Sequence, residues 1–225
     1  MNTLLDPAFW LQMAVAVWET FYITIMATAF ALLIGIPVGV LLVVGEPGGV
    51  LPLPRPVMQV LNIVINLLRS VPFLILMIMV FPLSRLIIGT AVGTNATIVP
   101  LVIAAFPFVA RLVETCLRDV DSGVIEAAQS MGATPFQIIW KVMLPESLPG
   151  LISNITTALT TILGYSAMSG AIGGGGLGNV AISYGYYRYQ FSIMLVAVIL
   201  LIVLVQIFQT IGTHLTIRCD KRLRK

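Results

Sequence analysis

Glu126-Ala127-Ala128-Gln129-Ser130-Met131-Gly132, followed by Leu144-Pro145, is a polar, helix-forming insert in a chain that is otherwise apolar. Its residues include no catalytic set and no metal-ligating set. The surrounding segment, about Arg111 to Leu148, divides into two helices. The first begins near Asp121-Ser122, either of which can cap the free amides at a helix start. Val124, Ile125, Ala128 and Met131 then make one apolar stripe. Gly132 ends it, as glycine does where a left-handed residue is required. The second opens on Thr134-Pro135-Phe136-Gln137, with Thr at the cap, Pro at the first helical position and Gln completing a capping box. Leu144-Pro145 is expected to close this helix and send the chain back. Such start and stop control predicts a shaped, rigid elbow that holds another protein.

The rest of the chain is built for lipid. Of 225 residues, 59% are hydrophobic and 9% are charged, whereas a soluble surface needs roughly 25% charged residues. Apolar runs of about 20 residues cross a bilayer core as helices, which satisfy their own backbone polar groups. Five spans are predicted: near Phe21 to Val44, Val57 to Val80, Ala96 to Ala110, Leu151 to Ala171 and Phe191 to Leu215. The fold class is therefore all-α and polytopic, a single transmembrane domain over residues 1–225.

Lys and Arg placement orients the spans, because short cytoplasmic loops carry the positive excess. No Lys or Arg precedes Arg55. Arg111, Arg118 and Lys141 lie between spans three and four, and Arg218, Lys221, Arg222, Arg224 and Lys225 lie in the tail. Arg85 and Arg188 fall on the opposite side. The N-terminus is thus expected outside and the C-terminus inside. The basic tail reports this topology and gives no reason to invoke nucleic acid. Asp6-Pro7 with Phe9, Trp10, Met13, Val17 and Trp18 reads as a short interfacial helix before span one, not as a signal peptide, since no basic n-region precedes it. Cys116 and Cys219 are both expected on the cytoplasmic side, where a disulfide is disfavoured, and with His214 they give no metal spacing.

The Glu-Ala-Ala triplet, Gly132 and the Val142-x-Leu144-Pro145 ending resemble the EAA loop of bacterial ABC-importer permeases. Arg69-Ser70-Val71-Pro72-Phe73, Pro145-Glu146-Ser147-Leu148-Pro149-Gly150, Gly164 to Ala171 and Gly173-Gly174-Gly175-Gly176-Leu177-Gly178 are similar to segments of the methionine-uptake members. The resemblance implies a type I importer permease fold whose insert is a coupling helix pair docking into a separate ATP-binding subunit. Val124, Glu126, Ala127, Ala128, Met131, Gly132, Leu144 and Pro145 would carry that coupling, Glu126 as a polar contact unless it is only part of a solvated face.

Other features have competing readings. Gly173 to Gly178 lacks the Lys-Ser/Thr of a phosphate loop. It reads as close backbone approach at an external gate, or as disordered loop. Span four is rich in hydroxyls, so Thr160, Tyr165, Ser166, Met168 and Ser169 are candidates for a translocation path or gate; the same residues could be glue between helices. Arg69 could meet a carboxylate or a helix end, or form a structural pair, and Glu19 reads as interfacial.

The resemblance implies an inner-membrane permease that translocates methionine, D- and/or L-, by alternating access and catalyses no reaction. It would hold no cofactor of its own, ATP and Mg being bound by the partner. Expected partners are a second copy of the chain, two ATP-binding subunits, an external substrate-binding lipoprotein and the bilayer. Another amino acid or betaine is the alternative cargo. A secondary transporter or channel would need carboxylates at the membrane midplane, and an intramembrane enzyme would need a constellation that the spans lack.

Overall fold

The computed structural model describes residues 7–219, and every regular element among them is helical. Helix α1 covers Pro7–Val44, α2 Arg55–Ser70, α3 Phe73–Ile88, α4 Thr94–Arg118, α5 Ser122–Ser130, α6 Pro135–Ile138, α7 Leu144–Ser169, α8 Gly176–Val180 and α9 Phe191–Cys219. Among the described residues four continuous helical stretches are long and apolar enough to cross a membrane, and the bent pair α2–α3 gives a fifth when its two halves are counted as one span.

The first span differs from expectation in its start. No breaker separates Trp18 from Phe21, and α1 runs unbroken from Pro7. Its first turns do not lie flat at an interface: Phe9, Met13 and Ala16 pack against Leu177, Val180, Ile193 and Ala197 of α8 and α9. Asp6 lies outside the described residues, as do Lys221 to Lys225.

The second span is corrected more deeply. The chain breaks at Val71-Pro72, and α2 and α3 meet at 111°. The proline ring disfavours a helical residue before it, and Val71 is extended at φ −79°, ψ 128°. An apolar count over Val57 to Val80 runs straight through this bend. By contrast, Pro100 and Pro107 sit inside α4, which reaches past Ala110 to Arg118.

The tightest seam joins α1 to α4. Ala27, Ala31, Gly35 and Gly39 recur every fourth residue and are all buried, so one side of α1 is nearly flat and the backbones approach closely. A β-carbon on Gly35 would lie 2.6 Å from Val109 Cγ1, and one on Gly39 2.6 Å from the Ala110 carbonyl oxygen.

This seam sets the two ends of the bundle. Glu46, just past α1, pairs with Arg118 at the end of α4. Glu19, near the start of α1, meets Thr94 at the beginning of α4. Residues 19 and 46 stand about 40 Å apart along a helix, the thickness of a bilayer with its headgroups. The α5–α6 insert is at the Arg118 end and the glycine loop at the Glu19 end.

Candidate functional site

The elbow is built by local chemistry. Asp121 accepts a hydrogen bond from the Gly123 amide at 2.7 Å and caps α5. At the other end Gly132 has φ +78°, Ala133 N–H donates to the Ala128 carbonyl and Gly132 N–H to that of Gln129, the paired bonds of a Schellman stop. The Thr134 side chain then accepts from Gln137 N–H while Thr134 N–H donates to the Gln137 amide oxygen at 2.9 Å. Thr134→Ala removes one half of this capping box. It is expected to destabilise the turn by about 1 kcal/mol, seen as faster amide exchange across residues 134–143; unchanged exchange would count against the cap.

Leu144-Pro145 does not end the second helix. Helix α6 widens into a π turn, Ile139–Met143, and continues into α7. Pro145 has no N–H to give the Lys141 carbonyl, yet the helix passes it without a break, Leu144 N–H donating five residues back to the Ile139 carbonyl. The elbow is thus one piece with the fourth span.

Its faces are also divided differently from the predicted stripe. Ala128 is only 4% exposed, and with Ile125, Ile138 and Val142 it packs into the main core; Ala128 is an inward packing residue and cannot offer a docking face. Leu144 likewise packs against that core. Facing out are Val124, Glu126, Ala127, Gly132 and Pro145, Met131 at 81% exposure, Phe136 at 68% and Trp140 at 59%. The rings of Phe136 and Trp140 lie 6.1 Å apart.

A polar network fixes the base behind the elbow. Arg111 donates to Glu114 at 2.6 Å and to the side-chain oxygens of Asn62 and Asn66 on α2 at 2.8 and 2.9 Å. Arg118 donates to Glu114 and to both carboxylate oxygens of Glu46. Glu114, nearly buried, therefore joins two guanidiniums that reach α2 and the connector after α1. Glu114→Ala leaves Arg111 without its carboxylate and is expected to destabilise the fold by about 2 kcal/mol, read as a lower melting temperature in detergent. An unchanged melting temperature would make the network dispensable.

On α7 the rotational phase separates the candidate path residues. Ser166 and Ser169 are buried and donate to the carbonyls of Leu163 and Ser166, so they face the bundle, away from the open side of α7. Tyr165 stacks on Phe73 with ring centres 4.3 Å apart and planes 7° apart. Ser153, Thr157, Gly164 and Met168 form the open face. Thr160 is half-buried beside it, bonded to its own helix.

The glycine loop is held, not disordered. Gly176 N–H donates to Glu19 at 2.7 Å and Leu177 N–H to Thr20 Oγ1 at 2.8 Å. Thr94 donates to the other Glu19 oxygen, and Gly174 N–H to the Ser169 carbonyl. Glu19 is thus a clasp between α1, α4 and the loop.

Over residues 35–221 the chain matches the family described as the inner membrane component of binding-protein-dependent transport systems. It belongs to that family. This inner-membrane permease is 53% identical over 207 residues, 92% of each chain, to the probable D-methionine transport system permease protein MetI of Vibrio cholerae. It is 47% identical over 218 residues to the Pasteurella multocida protein of the same description, covering 97% of this chain and 100% of that one. A solved structure described as an inward-facing conformation of the MetNI methionine ABC transporter matches with TM-score 0.93 and 41% identity over 96% of this chain and 100% of its own. The crystal structure of an amino acid ABC transporter with histidines shares the fold at TM-score 0.73 and 20% identity, covering 94% of each chain.

In this permease the structure adds outward aromatics and inward charges that the sequence motifs do not point to. Phe136 and Trp140 carried a signal, being large apolar residues four apart on a helix otherwise predicted to lie in water. Glu114 lies three residues after one Arg and four before another, a spacing that pairs on a helix. Glu19 carried no local signal, because its partners are Thr94 and Gly176, both far along the chain.

Proposed function

We propose that this permease is the translocation subunit of an ATP-driven methionine importer, with D- and L-methionine both in reach. The relatives' descriptions support the cargo. The observation that carries the mechanism is the elbow: a capped, rigid helix pair continuous with α7, braced by the Glu114 network, with Val124, Met131, Phe136 and Trp140 turned outward. An apolar ridge on a stiff helix suits a groove in a partner. The partner is an ATPase that binds ATP with its magnesium, and its closure pushes the elbow and hence the fourth span. The whole chain acts as one transmembrane unit.

Two copies pair about a two-fold axis, placing the open α7 faces on either side of a shared route. Thr160 and Met168 border that route, and Tyr165 stands beside it. Rocking of one bundle against the other opens the route to alternate sides, and an external binding protein delivers the cargo. Affinity purification of the chain from bacterial membranes is expected to bring down an ATP-binding subunit in equal amount. A permease that purifies without one, and supports uptake alone, would overturn this reading.

A further inference from the structure

Among the described residues, Arg69 is a guanidinium beside the middle of the bundle with no carboxylate to neutralise it. It is the penultimate residue of α2, at the 111° bend into α3. Among the described residues its side chain has no ion pair or side-chain hydrogen bond. It lines a pocket of about 170 Å³ with Val71, Phe73, Ala104, Phe108 and Tyr165. Ala104 and Phe108 lie near the centre of α4, which runs Thr94–Arg118, so the pocket is close to mid-depth. A charge held there without a partner is expensive, and such residues mark pathways or bind a counter-charge. Phospholipid headgroups begin about 15 Å from the midplane, farther than an arginine side chain reaches without leaving the pocket.

The rest of α2 shows what Arg69 is not. Asn62, Asn66 and Arg69 recur at helical spacing on one face, and the two asparagines are taken up by Arg111. Arg69 stands one turn beyond that network and is left out of it. Its pocket is floored instead by the stacked Phe73–Tyr165 pair, and Tyr165 sits on α7 between Gly164 and Met168 in height, next to the open face. A guanidinium beside a polarisable aromatic surface fits an anion attached to a small, partly apolar molecule.

We propose that Arg69 is the carboxylate subsite of the route. As an amino acid passes the α2–α3 bend, its α-carboxylate takes the guanidinium, and its side chain lies toward Tyr165 and Met168 on α7. The bend ends α2 near mid-depth and leaves Arg69 exposed at its tip, beside the pocket that Phe73 and Tyr165 line. This subsite rests on the reading of the chain as an amino-acid permease.

The test is uptake of labelled methionine by the complete permease–ATPase complex in proteoliposomes, with the binding protein, for wild type, Arg69→Met and Arg69→Lys. Arg69→Met is expected to lower uptake by about tenfold to a hundredfold, the loss of one charge-assisted contact. Arg69→Lys should restore part of it, with the melting temperature and the bound ATPase unchanged in both. Wild-type uptake in Arg69→Met would overturn the subsite while leaving the importer reading intact. So would a fall in melting temperature or loss of the ATPase, which would assign Arg69 to lipid or to the second copy. Absence of methionine uptake in the wild-type complex would overturn the importer reading itself.

Discussion

Replacing Phe136 and Trp140 together by alanine is expected to cut ATP-driven uptake by about tenfold or more while leaving the membrane bundle folded. The two rings are exposed and touch each other, whereas Ile138, Ile139 and Val142 on the other side of the same turn pack into the core. Truncation therefore removes outward area only. Aromatic anchors buried at the centre of an interface account for much of its binding energy, often about 2 kcal/mol or more each. With the docking ridge gone, ATP hydrolysis should continue without driving transport, or the ATPase should dissociate. Normal coupled uptake in the double variant would move the docking surface elsewhere on the chain.

The second large effect falls on the external end. Gly178→Val is expected to prevent accumulation of folded protein. A β-carbon at Gly178 would lie 2.2 Å from the Ala167 carbonyl oxygen, and one at Gly170 2.2 Å from the Gly178 carbonyl carbon. The obstacles are backbone atoms that no rotamer change can clear, so the strain exceeds the 1–3 kcal/mol typical, to about that order, of an overpacked side chain. The readout is the size-exclusion profile in detergent, with Gly164→Ala as the companion. Nothing lies within 4 Å of a β-carbon at Gly164, and alanine there should fold as well as wild type or better, because it favours the helix by about 1 kcal/mol. A monodisperse Gly178→Val protein would contradict the packing of the glycine loop.

The parts of the molecule legible from sequence are those decided within one helical turn. Asp121, Gly132 and Thr134-Pro135-Phe136-Gln137 act on their own neighbours, and each performs the capping or stopping role its chemistry predicts. Proline proved readable only with its acceptor known. At Pro72 the residue before it is forced out of the helix, at Pro145 the helix follows directly on a π turn, and at Pro100 and Pro107 the helix simply continues. All four look alike in an apolar count.

Which side chains face outward was less legible, for a different reason. Ser166 and Ser169 are as polar in composition as Thr157, but burial depends on which side of α7 meets α1 and α4, and that phase is set by tertiary packing. Ala128 belongs to the apolar stripe in either case; the fold turns the stripe inward and leaves the aromatics of α6 and the π turn outside. Glu19 joins residues 75 and 157 positions away, beyond any local pattern. The every-fourth small residues Ala27, Ala31, Gly35 and Gly39 were visible in the sequence and predict the α1–α4 seam once noticed.

This chain is expected to move methionine only when an ATPase works its elbow. The deciding measurement is labelled methionine uptake into proteoliposomes holding the purified permease–ATPase complex with its binding protein, with and without ATP. Uptake is expected with ATP, and none above background without it or without the ATPase. Methionine flux through the permease alone, independent of ATP, would contradict it.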